Sequence, residues 1–239
     1  AQVNKGKRCY NMIHMARLYN CPLQVIEYDL HDYDLRPYVR DALKLPEGFD
    51  LARLHEVYPL EYAAITRDND SRTNVHKTYY ERIANTGFYD MYRRIVHDLI
   101  HPLFDDEIAI QKIPSLRVHR PGGKAVGEAH RDSDSGFNHQ PGAINFWWPL
   151  TNAFDTNTLW VDASGGDHSL QPVNVSLGHV LVFDAISLHH GNYPNATKAT
   201  RLSIDFRVIP MNDYIESDKK SATMMQPKIR NKPDYHKHL

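Results

Sequence analysis

The segment GEAHRDSD carries the densest chemistry in the chain, with an imidazole and a carboxylate two positions apart in His130-x-Asp132. On a strand, residues i and i+2 share a face, so both side chains can grip one ion from the same side. The motif alone is cheap. With 15 His and 21 Asp in 239 residues, about one His-x-Asp is expected by chance, and only this one occurs. Its company gives it weight: Leu188-His189-His190-Gly191 offers a second imidazole, and eleven residues after His190 comes Arg201, with Ser203 two further on. Two His and one carboxylate form a facial set that leaves three positions open on Fe(II), suited to an oxidant and a chelating co-substrate. An Arg fork is the natural partner of a distal carboxylate, and a Ser hydroxyl on the same face adds a further bond.

Neighbouring histidines on a strand point to opposite faces, so only one of His189 and His190 can serve as a ligand. The position before Gly191 and the spacing to Arg201 favour His190, which leaves His189 as an ordinary packed or hydrogen-bonded histidine. Arg117 and His119 stand at i and i+2 on an early strand. Asp134, Phe137 and His139 follow the metal motif directly and are expected in a loop at the mouth of the fold. Polar groups converging on a metal would orient a polar substrate, although each residue taken singly also reads as a solvated strand or loop residue. Trp147 or Trp148 can wall the pocket or serve as plain core.

The elements that must position these groups differ between the two halves of the chain. Residues 1–70 are mixed, with a turn at Pro46 and Gly48. Thr73 to Leu103 reads as helix, since Tyr80, Ile83, Phe88, Met91, Ile95 and Leu99 recur near the helical period and Pro102 ends the run. Beyond it lie short stretches rich in Val, Ile, Phe and Trp: Glu107–His119, Ala125–Asp132, Ala143–Thr151, Asn157–Asp162, Val180–Asp184 and Arg201–Pro210. Turn residues such as Pro121-Gly122-Gly123, Gln140-Pro141-Gly142 and Ser164-Gly165-Gly166 separate them, which predicts a sandwich or barrel. Within Arg201–Val208, Arg201, Ser203, Asp205 and Arg207 alternate with Leu202, Ile204, Phe206 and Val208. One reading is a solvent-facing polar side. The other places the apolar face under the helices and turns the polar face toward a charged ligand. The polar stretch beyond Pro210, with its Met224-Met225 pair, reads as a loose end or a flap.

Composition narrows the function classes. Lys plus Arg total 28 against 29 for Asp plus Glu, a formal charge of −1, which argues against a nucleic-acid partner. No run of 18 apolar residues is present, so no membrane span is expected, and the basic N-terminus lacks the apolar centre of a signal peptide. Cys9 and Cys21 provide no Cys-based zinc motif and point to a reducing compartment, so a cytoplasmic location is expected.

The order His-x-Asp, distal His, then Arg-x-Ser resembles the Fe(II)/2-oxoglutarate-dependent dioxygenase superfamily. More narrowly, HRDSDSGFNHQPGAINFWWPLT, NTLWVDASGGD and LHHGNYPNATKATRLSIDFRVIP resemble a bacterial branch that includes hydroxylases of the streptomycin-biosynthesis type, distantly similar to the phytanoyl-CoA hydroxylase group. The resemblance covers roughly Arg117 to Pro210. It implies a double-stranded β-helix of the jelly-roll, cupin-like kind, and with the helical pattern upstream the expected class is mainly β with N-terminal helices (α+β). The whole of 1–239 is then expected as one oxygenase domain, with 1–104 as helical support, 105–210 as the β-helix core and 211–239 as a tail or flap. It further implies that His130, Asp132 and His190 hold Fe(II), and that Arg201, assisted by Ser203, pairs with the distal carboxylate of 2-oxoglutarate. O2 would be the oxidant, with release of succinate and CO2. Asn145 falls at the branch's Asn-Phe-Trp and is assigned to the co-substrate or to the metal's surroundings, beside a plainer reading as a strand-capping amide. Because Asp132 is present, the pattern is that of a hydroxylase; related halogenases carry a small residue there.

The expected substrate is a small polar metabolite, contacted by Arg117, His119, Asp134, His139 and Trp147. The sequence leaves its identity and the oligomeric state open. The alternative is a cupin-like metal-dependent isomerase or lyase without 2-oxoglutarate, which has no reason to keep Arg201-x-Ser203. A non-catalytic binding barrel has no use for an open-sided metal, and a peptide substrate stays open.

Overall fold

The computed structural model describes residues 22–61, 72–105, 107–123, 129–134, 139–164, 169–215 and 235–238. Its centre is the ten-residue strand β9 (Arg201–Pro210), the longest of ten. The others are β1 (Leu23–Glu27), β2 (Ile108–Gln111), β3 (Ser115–His119), β4 (Ile144–Pro149), β5 (Leu159–Val161), β6 (Gln171–Val173), β7 (His179–Phe183), β8 (His190–Gly191) and β10 (Tyr235–His238). Seven of them form an antiparallel sheet in the order β1-β7-β4-β9-β2-β10, with β3 paired to the first half of β9; β6-β5-β8 form a smaller sheet. The two sheets do not close into a barrel, and the fold is the mainly β, cupin-like one expected from the resemblance.

The alternation along β9 decides how the layers stack. Leu202, Ile204, Phe206 and Val208 join Phe146, Trp148, Val180 and Val182 in one buried cluster, together with Val39, Tyr79, Ile83, Phe88 and Ile95 from the helical layer. Arg201, Ser203, Asp205 and Arg207 face the other way, yet are themselves at most 6% exposed. The polar face of β9 is therefore an interior wall, not a solvated surface. Trp148 belongs to the helix side, where its indole N–H donates to the Tyr28 hydroxyl at 2.9 Å, so it cannot wall a pocket on the opposite face.

The helical layer departs from the single helix expected over Thr73–Leu103. It comprises α1 (Arg36–Ala42), α2 (Asn74–Arg82) and α3 (Phe88–Ile95), followed by a π turn over Val96–Ile100 and a 3-10 turn over His101–Leu103. The interruption falls at Gly87, whose φ of +81° is a left-handed value that costs glycine little. The apolar spacing continues across this break because both helices bury against the same sheet, so periodicity alone hides it.

Strands β1, β6 and β10 lie where the sequence reading placed none. β1 pairs along its whole length with β7. Tyr235–His238, inside the expected tail, adds an edge strand to β2. The expected strand Glu107–His119 is split into β2 and β3 by a bend, and the first half of Ala125–Asp132, together with Phe137, Met224 and Met225, lies outside the described residues. Among the described residues no helix is long and apolar enough to cross a membrane.

Candidate metal centre

Three donor side chains meet where the small sheet approaches the polar face of β9. One ligand atom each from His130, Asp132 and His190 lies within 4.8 Å of the other two, the arrangement that one ion could hold together. The positioning is local. His130 and His190 form an isolated antiparallel bridge and exchange both backbone hydrogen bonds at 2.9 Å. Directly opposed residues of such a pair project to the same side, and their rings stand 4.7 Å apart. The close approach depends on Gly191, because a Cβ there would fall 2.9 Å from the Cα of Ala129.

Asp132 reaches the cluster from a turn and not from a regular strand, a departure from the expectation that i and i+2 would share a strand face. Its backbone N–H donates to Ala185 O at 2.8 Å, and its carbonyl accepts from the His139 N–H at 3.1 Å. Its side chain, 2% exposed, holds Oδ1 3.7 Å from His130 Nε2 and 3.8 Å from His190 Nε2. Burial by itself would raise its pKa. The charges of Arg207, His139 and His190 and the hydrogen bond from Arg207 together outweigh this and hold the carboxyl below its usual range.

His190 is tuned for donation. Its Nδ1 hydrogen-bonds Leu188 O at 2.9 Å. A carbonyl can only accept, so Nδ1 carries the proton and Nε2 keeps its lone pair. Burial, partly opposed by Asp132, lowers the His190 pKa to about 4, so the ring is neutral at pH 7. Of the adjacent pair, His190 and not His189 joins the cluster.

Arg201 lies at the start of the same wall and is 4% exposed. Its Nε donates to Asn157 O at 3.0 Å, Nη1 to Ser203 Oγ at 3.1 Å and Nη2 to Asn192 Oδ1 at 2.8 Å. The guanidinium carbon sits 5.4 Å from the centre of the Trp147 ring. Trp147 thus lies against Arg201 and belongs to a buried cluster with Leu159, Val161 and Phe183. His119 is the direct cross-strand partner of Arg201. Burial, then the charge of Arg201, lowers its pKa to about 3. The backbone of Asn157 and Gly123 approaches this neutral ring without completing a hydrogen bond, so both ring nitrogens are unsatisfied among the described residues. Asn145, paired in register with Arg207, is 5% exposed and likewise leaves its Oδ1 without a partner.

The remaining expected substrate residues are more committed to structure. Arg117 forms an ion pair with Asp205, Nε to Oδ1 at 2.6 Å, so its charge is already matched. Asp134 accepts the Arg131 N–H at 2.7 Å and closes the turn that carries Asp132. His139 contacts the centre through its backbone bond to Asp132. The residue the sequence reading passed over is Arg207, which donates from Nε and Nη2 to Asp132 Oδ2 at 2.9 and 2.7 Å. Its only sequence signal was its place on the polar face of β9.

The fold is the cupin-like scaffold also seen in non-haem oxygenases of known structure. The apo structure of the non-haem monooxygenase ThoJ superposes with a TM-score of 0.50 at 13% identity, over 86% of this chain and 80% of that one. The non-haem, α-ketoglutarate-dependent carbocyclase SnoK from nogalamycin biosynthesis gives 0.52 at 10% identity, over 82% and 83%. No family model matches the sequence. It is 35% identical over 205 residues to the streptomycin biosynthesis protein StrG of Streptomyces griseus, covering 84% of this chain and 92% of the relative. The chain belongs to the family of that protein, on the fold of the Fe(II)/2-oxoglutarate oxygenase superfamily.

Proposed function

We propose that the protein is a cytoplasmic, non-haem Fe(II) oxygenase that uses 2-oxoglutarate and O2 to hydroxylate, desaturate or cyclise a small polar metabolite in natural-product biosynthesis. The observation that carries this reading is the meeting of two neutral-capable imidazoles and one carboxylate oxygen at a single point beside a buried, charged wall. His130, Asp132 and His190 would hold the ion. Two His and one carboxylate suit Fe(II) and leave three positions for co-substrate and oxidant. With metal bound, O2 would supply one oxygen to succinate as CO2 leaves and the second to the oxidation of the substrate.

The charges of the site support a dicarboxylate. Arg117 and Arg207 match Asp205 and Asp132 charge for charge, and His190 is neutral at pH 7. A divalent ion therefore adds two positive charges that these residues leave unbalanced, and Arg201 adds another. Arg201, its fork pre-set by Asn157, Ser203 and Asn192, would take the distal carboxylate, with His119 beside it as a neutral hydrogen-bonding group. The Asn145 amide, whose Oδ1 has no partner among the described residues, would serve the co-substrate or a metal-bound water. Substrate contacts are then left to Asp134, His139 and the half-buried Arg117 at the outer side. The isomerase or lyase alternative accounts for the three donors but gives Arg201 no task.

The test is anaerobic titration with Fe(II) and 2-oxoglutarate, then admission of O2 and a screen of polar metabolites for stimulated succinate release. Metal-dependent turnover without O2 or 2-oxoglutarate would favour the alternative. In the same assay His190→Ala is expected to abolish turnover, whereas His189→Ala retains it. The reverse outcome would move the ligand to the neighbouring residue.

A further inference from the structure

We propose that Arg207 is a positioning residue of the metal centre, one that occupies Asp132 Oδ2 and leaves Oδ1 as the single carboxylate oxygen for the ion. The inference rests on the reading of His130, Asp132 and His190 as metal ligands. A carboxylate oxygen has two lone-pair directions, and a free carboxylate can bind a cation through one oxygen or both. Here Nε and Nη2 of one planar guanidinium both donate to Oδ2, so that oxygen has no lone pair left. Oδ1 is the atom that faces Nε2 of both histidines. The division matters because a carboxylate bound through both oxygens would use one of the three positions the chemistry needs open.

The guanidinium is itself held in place. Its Nη1 lies 3.5 Å from Gln111 Oε1 on β2 and 3.9 Å from Asp205 Oδ2, whose carboxylate is anchored by Arg117 on β3. The backbone N–H of Arg207 also donates to Gln111 Oε1 at 3.3 Å. Strands β2, β3 and β9 thus converge on the orientation of one side chain, and that side chain sets which oxygen of Asp132 is available. A lone positive charge would suffice to keep Asp132 ionised. Selecting the oxygen requires the two-pronged geometry, which Lys cannot supply.

Co(II) is the probe, because its visible absorption bands report the number and geometry of its ligands independently of turnover. Co(II) is titrated anaerobically into the parent, Arg207→Gln, Arg207→Lys and Asp205→Asn. Loss of a group that orients a ligand typically costs about 10–100-fold in metal affinity, and this range is expected for Arg207→Gln, together with displaced bands as Oδ2 turns toward the ion. Arg207→Lys is expected to recover part of the affinity but keep displaced bands, since it restores charge without the fork. Asp205→Asn loosens the support of the guanidinium but keeps the fork itself, and is expected to displace the bands less than Arg207→Gln does. Should Arg207→Gln fail to fold, the Lys variant carries the test. Parent-like bands and affinity in the Arg207 variants overturn the inference alone, whereas a parent that binds no Co(II) overturns the metal reading with it.

Discussion

Asp132→Ala is expected to lose substrate-stimulated succinate release entirely, and to lose stability as well. The first loss follows from the donor set, since the variant keeps two imidazoles and no anionic ligand for the ion. The second follows from the surroundings. Asp132 and Arg207 form an ion pair whose side chains are 2% and 8% exposed. Removing one partner of a buried pair strands the other, which costs about 3–5 kcal/mol. Arg207 would keep its longer contacts to Gln111 and Asp205 and lose both short bonds to the carboxylate, so a large part of that cost is expected. It is read as a lower denaturant midpoint of the metal-free variant. The cavity left behind is small, beside a guanidinium, and opens a fourth position on any ion still held by His130 and His190. Chloride or azide is therefore expected to raise the variant's midpoint, an effect absent from the parent. Productive halogenation is not expected, because the substrate must also be placed away from competing hydroxylation, and small misplacements are costly. Undiminished turnover, with Fe(II) occupancy measured separately, would sink the three-ligand reading.

Arg201→Ala should separate the co-substrate from the metal. Losing a charge-assisted pair to a desolvated carboxylate costs about 2–5 kcal/mol, roughly thirtyfold to several thousandfold in affinity. The upper part of that range is favoured here, because the fork is already oriented by Asn157, Ser203 and Asn192 and supported by the Trp147 ring, so little ordering is left to do on binding. None of the contacts of Arg201 described above involves His130, Asp132 or His190, so Fe(II) affinity should be nearly unchanged. Arg201→Lys keeps the charge and should recover only part of the binding, since an ammonium cannot reproduce two parallel donors. Calorimetric titration of 2-oxoglutarate into the metal-loaded variant checks both points. Binding as tight as the parent's would remove Arg201 from the co-substrate site and reopen the lyase or isomerase reading.

What the sequence by itself determined is whatever depends on residue type and short spacing. Alternation along Arg201–Val208 divided β9 into an apolar and a polar face, because a strand's side chains alternate wherever the strand lies. The donor types of His130, Asp132 and His190 were enough to name three residues that the fold brings together. Tertiary structure decided the pairings. Asp132 and Arg207 stand 75 positions apart, and Arg117 and Asp205 stand 88 apart. No local pattern reveals that the first pair divides a carboxylate's two oxygens or that the second matches a charge otherwise assigned to substrate. The strand β1 escaped notice for a related reason, since its partner β7 lies far along the chain, with Leu23 opposite Phe183. The break at Gly87 was hidden because the helices on both sides of it bury against one sheet. Local periodicity reports which face a residue takes; register between distant strands decides which residues meet there, and that is set only when the sheets pack.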